Sequence, residues 1–326
     1  MRFHRAHLGC WGVALLALVA MAPAARAQNC GDSCLKRILH RYLVALPTHN
    51  PSSLPLAAQV QARENSEPVN LGEGSWQSVT AVLPGYIFAD PESGNVIYGG
   101  GVRRGKALGI LFLRLKVIDG KIADSEMLTS GPGAVTPPRP QLPGSPAASA
   151  GPATDTQRSA QRFAAPDLSG LLTPDILYDA ILPKDRRSTR QQLMRIPFLY
   201  MQGLAKGDGS IPPFGPRCDR WAAGGRKLTN NPAARGGAIS CATAVDGMKR
   251  MPGRSVTNRR VVVADVAHGI AVGMLIVSFD VGGMRVTQNA AEIFKVVDGH
   301  IRSIEEFNVP GRVPPGSGFA GQDDSP

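Results

Sequence analysis

Two kinds of hydrophobic spacing alternate along this chain, and each kind occurs twice. Leu35, Ile38, Leu39, Tyr42, Leu43 and Leu46 recur at helical spacing, so residues 34–46 predict a helix with one broad apolar face, ended by Pro47. Pro51 and Pro55 mark a loop, and Gln59 to Asn65 reads as a short helix or irregular arm. Past Gly72-Glu73-Gly74-Ser75-Trp76 the pattern changes to β-rich runs separated by turns. These predict strands at Gln77–Val82, Tyr86–Ala89, Val96–Arg103, Leu108–Ile118 and Lys121–Leu128. The second half follows the same order. Leu168 to Leu182 gives a helical lead-in, and Ser188 or Thr189 caps a helix through Leu204. Ile211 to Trp221 reads as a rigid arm bearing prolines and aromatics. Strands follow at Arg259–Ala264, Ile270–Asp280, Ala290–Val297 and His300–Phe307. Ile270–Phe279 is apolar on both faces, as a central strand covered on both sides should be. Helices followed by a curled antiparallel sheet define an α+β class.

The two halves also share words. Lys116-Val117-Ile118-Asp119-Gly120-Lys121-Ile122 returns as Lys295-Val296-Val297-Asp298-Gly299-His300-Ile301, an offset of 295 − 116 = 179. Each is a hairpin whose Asp-Gly pair suits a turn with two positive φ angles. Upstream, Ala89-Asp90-Pro91-Glu92-Ser93-Gly94 corresponds to Ala264-Asp265-Val266-Ala267-His268-Gly269. Tyr42-Leu43-Val44-Ala45-Leu46 corresponds to Tyr200-Met201-Gln202-Gly203-Leu204, with Pro55 and Pro213 following at the same distance. Matches in one order over this length predict two versions of one domain, not a solenoid of short units.

The remaining stretches lack such patterning. Residues 1–27 carry Arg2 and Arg5, an apolar run from Val13 to Met21, and Ala25-Arg26-Ala27, which together read as an export signal cleaved near Ala27. The run is too short to span a bilayer. Residues 131–166 are rich in Pro, Gly, Ser and Ala and read as a linker. The organisation is thus a first domain over 28–130, the linker over 131–166, a second domain over 167–309, and a Gly/Pro-rich tail over 310–326. A periplasmic or extracellular location is expected.

Composition adds three points. The chain carries 36 Lys and Arg against 25 Asp and Glu; residues 1–27 hold three Arg and no acid, leaving 33 − 25 = +8. The excess is concentrated in residues 181–260, which suits either a solvated basic surface or an anionic envelope component as partner. No aromatic-interleaved basic motif points to nucleic acid, and no Gly-rich phosphate loop points to a nucleotide. Four Cys follow the export signal, and in an oxidising compartment an even number implies disulfides. Cys30–Cys34 and Cys218–Cys241 are the expected pairs; a loop of about 24 residues closed by the latter adds about 3.5 kcal/mol by chain entropy. Neither pair has zinc spacing, so no metal is expected.

Helix, arm, and a curved sheet closing on a strand–Asp-Gly–Ile hairpin resemble the SnoaL-like (ketosteroid-isomerase-like) cone fold. Tyr200 to Trp221, with its Gly-Asp-Gly and Pro-Phe-Gly-Pro-x-Cys-Asp-Arg, together with Leu228-Thr229-Asn230-Asn231-Pro232 and the strand Ala291 to Lys295 running on to Glu305, resembles an uncharacterised family of exported proteins with that fold. The resemblance implies two tandem cones, with isomerases, cyclases, dehydratases or non-catalytic binding modules as relatives; the repeat and the Pro-rich linker add the expectation of two folding units packed as a pseudo-dimer. It transfers no catalytic residue.

The candidate site therefore rests on the pleat. Leu111, Leu113, Leu115 and Val117 share a strand face. The offset of 179 carries Leu113 to Glu292, placing a carboxyl where the first copy is apolar. Such a carboxyl has its pKa raised and suits proton transfer. Glu292 is the first catalytic candidate, with Asp219 and Tyr200 beside it; Trp221, Phe214 and Arg220 of the arm are candidates for binding substrate. Glu292 paired with Arg220, Tyr200 as a core aromatic and Asp219 as a cap or Arg partner are the structural alternatives. Glu126 and Glu305 occupy matching positions and read as salt-bridge residues. The sequence thus predicts an exported protein binding a hydrophobic small molecule in its second domain, as a cofactor-independent lyase, isomerase or hydratase, or as a non-catalytic binding protein.

Overall fold

The structure, a computed structural model, describes residues 30–135, 176–222, 225–233, 237–281 and 283–311. The expected export signal, most of the expected linker, the start of the expected helical lead-in at Leu168 and the tail beyond residue 311 lie outside them. Unit one comprises α1 (Asp32–Ala45), β1 (Leu56–Glu64), β2 (Glu67–Pro68), β3 (Ala81–Asp90), β4 (Asn95–Arg104), β5 (Ala107–Ile118) and β6 (Lys121–Thr129). Unit two comprises α2 (Ile176–Asp179), α3 (Arg190–Lys206), β7 (Phe214–Ala222), β8 (Arg226–Lys227), α4 (Cys241–Asp246), β9 (Ser255–Asp265), β10 (Ile270–Val281), β11 (Met284–Val297) and β12 (His300–Pro310). The sheets run β2-β1-β6-β5-β4-β3 and β8-β7-β12-β11-β10-β9, the same order in each. The architecture is α+β: two tandem cone-like units, each a six-stranded sheet with a helix across one face.

Three elements differ from the sequence expectation. Gln59 to Asn65 belongs to strand β1 and the turn after it, and the arm Ile211–Trp221 is largely strand β7; both lie parallel to the last long strand of their unit. The sheets are therefore mixed and not purely antiparallel. The Ala- and Gln-rich sequence of β1 has helical propensity, but pairing with β6 overrides it. Gln77–Val82 and Tyr86–Ala89 merge into a single strand, β3, preceded by a short 3-10 turn at Gly74–Gln77. The helix expected through Leu204 is present as α3, closed by a capping box of Thr189 and Gln192.

The repeated heptapeptide makes the same contacts in both units. Asp119 and Gly120, like Asp298 and Gly299, have positive φ angles of 50°, 72°, 54° and 75°. The Lys at each start donates to the carbonyl before the turn glycine, Lys116 to Ser93 and Lys295 to His268. Val117 N donates to Gly94 O and Val296 N to Gly269 O, at 2.8 and 2.7 Å. A Cβ on Gly94 or Gly269 would strike the carbonyl oxygen of Val117 or Val296. Ile122 and Ile301 each donate to a carbonyl at the parallel edge, Pro55 O and Pro213 O, both at 2.8 Å.

Each helix covers one face of its own sheet. Leu35, Leu39 and Tyr42 of α1 meet Leu111, Leu113 and Leu115; Leu193, Tyr200 and Met201 of α3 meet Ala290, Phe294 and Val296. The opposite faces of the two sheets pack on each other through Phe88, Phe112 and Leu128 from unit one and Val272, Ile293 and Phe307 from unit two. Phe112 and Phe307 have ring centroids 5.8 Å apart. Buried charge crosses this layer. Arg260 holds both oxygens of Glu126, at 2.9 and 2.7 Å, and Arg114 adds a third contact at 3.1 Å. Burial opposes the Glu126 charge, but Arg260 and Arg114 outweigh it and lower its pKa to about 2. Disulfides join Cys30 to Cys34 and Cys218 to Cys241.

Candidate functional site

The face of unit two beneath α3 carries buried polar residues at positions that differ from those of the buried polar group in unit one, where Ser75 donates to Glu64 and Arg104 donates to Ser75 and Thr129. Alternation along β11 places Ala290, Glu292 and Phe294 under α3, while Ala291 and Ile293 face unit one. Register then sets the neighbours. Glu292 stands opposite Gly273 of β10 and Glu306 of β12; Arg220 stands on β7 opposite Ile304. The matching positions in unit one are Tyr98 on β4, Leu113 on β5, Met127 on β6 and Ala62 on β1. Unit two thus exchanges a bulky apolar patch for a glycine, two carboxyls and a guanidinium.

Helix α3 closes over this patch. A Cβ on Gly273 would come within 2.7 Å of Met201 Cε and 3.0 Å of Pro197 Cβ, so the missing side chain lets the helix approach. The approach brings Tyr200 over the strands, its ring edge-on to Phe294 at 5.2 Å and to Phe214 at 6.2 Å. The Arg220 guanidinium lies 5.8 Å from the Tyr200 ring centroid and forms an ion pair with Glu306. Asn308 Nδ2 donates to Glu306 Oε2 at 3.1 Å.

Local structure fixes Arg220. The Thr229 hydroxyl accepts from Arg220 N at 2.8 Å, Asn230 Nδ2 donates to Cys218 O at 2.8 Å, and the Cys218–Cys241 bridge ties β7 to α4. The segment Leu228-Thr229-Asn230 therefore serves as a clamp on the strand.

Electrostatics distinguishes the groups. Glu292 is 3% exposed; burial and then the charge of Glu306 raise its carboxyl well above the ordinary range, against the opposing pull of Arg220 and Tyr200. Burial, with Glu292 and Glu306 nearby, also raises the Tyr200 hydroxyl, while Arg220 lowers it. Burial works against the Arg220 cation, yet Glu306, Tyr200 and Glu292 more than offset this and raise its pKa. The Tyr200 hydroxyl and Glu292 lie near enough to shift each other's protonation. Both that hydroxyl and Glu292 Oε2 are buried without a hydrogen bond of ordinary geometry. In unit one the matching Tyr42 hydroxyl is fully engaged, bonded to Ser125 Oγ at 2.8 Å and accepting from Trp76 Nε1 at 3.1 Å.

The sequence candidates therefore fall into two groups. Glu292, Tyr200, Arg220 and Phe214 come together. Asp219 and Trp221 alternate with Arg220 on β7 and point to its other face. Asp219 is paired there with Lys227 at 3.1 Å and accepts from Asn230 at 2.9 Å, and Lys227 lies 5.2 Å from the Trp221 ring centroid. Glu306 was not singled out from sequence, although the offset that links Leu113 to Glu292 also links Met127 to Glu306. Among the described residues no group of three or more His, Cys, Asp and Glu is placed to hold a metal ion. A surface hollow of about 360 Å³ lies in unit one, lined by His40, Arg41, Val44 and Thr48 among others.

A family model described as a domain of unknown function (DUF8021) matches residues 186–308, from the approach to α3 to near the end of β12. No curated protein matches the chain. Among solved structures, the chain is similar to an LEH-like epoxide hydrolase from M. tuberculosis, at 18% identity and a TM-score of 0.30, covering 36% of this chain and 83% of that one. It is similar to PrhC from Penicillium brasilianum at 16% identity and a TM-score of 0.28, covering 37% and 82%. Likeness to AusH from Aspergillus nidulans is 14% identity at a TM-score of 0.29, covering 41% and 99%.

Proposed function

We propose that unit two is a SnoaL-like acid–base unit, acting without a cofactor as a lyase, isomerase or hydratase on a hydrophobic small molecule. The observation that carries this is the buried Glu292 carboxyl near the buried Tyr200 hydroxyl, with Glu292 Oε2 and that hydroxyl both without a hydrogen bond, at positions where unit one has Leu113 and a fully bonded Tyr42. A neutral carboxyl among apolar walls donates a proton and, once emptied, takes one back. In this reading Glu292 moves the proton, Tyr200 stabilises charge on the reacting group, and Phe214 and Phe294 wall the substrate. Arg220 serves through its pairing with Glu306, and neither Asp219 nor Trp221 takes part. The two disulfides support export of the mature chain, and the matched strand order and repeated contacts support a duplication.

The experiment is to identify the small molecule that co-purifies with the protein by mass spectrometry, then to compare its turnover by wild type and Glu292→Gln. Turnover is expected to fall by about 10²–10⁴-fold while fold and affinity are kept. Full turnover by Glu292→Gln removes Glu292 from the mechanism.

One observation favours a second reading. Side chains of α3 fill the face above Glu292, with Pro197 and Met201 closed down on Gly273. A closed face suits a non-catalytic module that binds a small molecule or an anionic envelope component. A bound ligand that is never converted by wild type would decide for it.

A further inference from the structure

Glu292 and Glu306 are direct partners across β11 and β12, side by side on the face under α3 and 3% and 4% exposed. The groups facing them from the surrounding elements are Tyr200 of α3, Arg220 of β7, Gly273 of β10 and Asn308 of β12. Of these only Arg220 is a cation. Two carboxylates with one guanidinium, away from water, would leave a negative charge without a counter-charge, so one carboxyl must keep its proton. The contacts say which. Glu306 forms an ion pair with Arg220 through Oε1, which has no further hydrogen bond, and accepts from Asn308 at Oε2 at 3.1 Å, whereas Glu292 Oε2 has neither an ion pair nor a hydrogen bond.

We propose that Glu306 is a positioning residue for Glu292: locked to Arg220, it carries the charge of the pair and so keeps the proton on Glu292 at neutral pH. This deepens the acid–base reading above and rests on it. It assigns the roles of the two carboxyls and makes the Glu306–Arg220 pair the control on when Glu292 releases its proton. The pair also excludes an anionic substrate group from this face, because the one cation is already neutralised.

Infrared difference spectroscopy of the whole mature chain, titrated with pH, tests this. At neutral pH the wild type is expected to show the carbonyl stretch of a buried protonated carboxyl, and Glu292→Gln to lack it. In Glu306→Gln, Arg220 is free to pair with Glu292, and the band is lost at neutral pH. In Glu306→Asp the charge is kept but withdrawn by one methylene. The band then remains, with its titration midpoint moved toward acid. A wild type without the Glu292 band at neutral pH overturns the proposal, as does a Glu306→Gln protein that retains it. Should Glu306→Gln not fold, an unmoved midpoint in Glu306→Asp overturns it equally. None of these readouts depends on turnover. A Glu292 that holds its proton in a protein without activity refutes the acid–base function and leaves this proposal standing.

Discussion

Glu292 and Leu113 stand at matching places on matching strands, and the difference between them has a thermodynamic signature. The folded-state pKa of Glu292 lies above its unfolded value, because burial and Glu306 disfavour its charge. Folding therefore takes up a proton, so its contribution to stability is full below the ordinary value of 4.5 and declines as pH rises toward the folded one. Gln mimics the neutral acid without titrating. Glu292→Gln is thus expected to gain stability relative to wild type as pH rises from about 5 to 8, measured by denaturant unfolding. A gap that does not change with pH means that Glu292 is ionised in the folded protein. At this scale the sequence was informative wherever the repeat supplied a reference: Leu113 exposed Glu292, and Met127 would have exposed Glu306 in the same way. Asp219, a candidate as a second carboxylate on the arm, is paired with Lys227 and Asn230 on the other face of β7. On a strand, neighbours point apart, and only Arg220 reaches the buried face.

The elements that were legible are those with strong local signals. The Asp-Gly hairpins, the Thr189 cap, the long strands β4, β5 and β10 and both disulfides follow from turn chemistry, capping, periodicity and Cys count. Strands β1 and β7 were not, because their state is decided by a parallel partner more than fifty residues away in sequence, which no local pattern encodes. The ion cluster of Glu126, Arg114 and Arg260 was half legible. Glu126 read as a salt-bridge residue, but Arg260 lies on a strand of the other unit. Its pH dependence runs opposite to that of Glu292. The folded value of about 2 lies below the ordinary 4.5, so the contribution is complete above pH 4.5 and disappears as pH falls toward 2. The shift corresponds to about 3 kcal/mol. Glu126→Gln removes the carboxylate that Arg260 and Arg114 share, with Asp124 still beside Arg114 at 3.6 Å, and is expected to cost about 3–5 kcal/mol at pH 7 and to flatten this acid limb. Equal loss of stability by wild type and variant between pH 5 and 2 would contradict it.

At the scale of the whole molecule the order is helix, sheet, sheet, helix, with the two sheets back to back. Unit one supports the back of the strands that carry Glu292 and Glu306, through Phe112 against Phe307 and through Ile97, Ile110 and Leu128 in the same cluster. Its own sheet has Tyr98, Leu113, Met127 and Ala62 at the matching positions, so among the described residues the Glu292–Glu306 pair is particular to unit two, and one small molecule is expected there. The central claim is that Glu292 moves a proton at that site. It is tested most directly by incubating the mature protein with its co-purified ligand in deuterium- or oxygen-18-labelled water and following label into the ligand by mass spectrometry. The wild type is expected to incorporate label, because the proton held by Glu292 exchanges with the labelled water between turnovers, and Glu292→Gln to do so about 10²–10⁴-fold more slowly at the same occupancy. Equal incorporation by the variant, or none by a fully loaded wild type, would contradict the account.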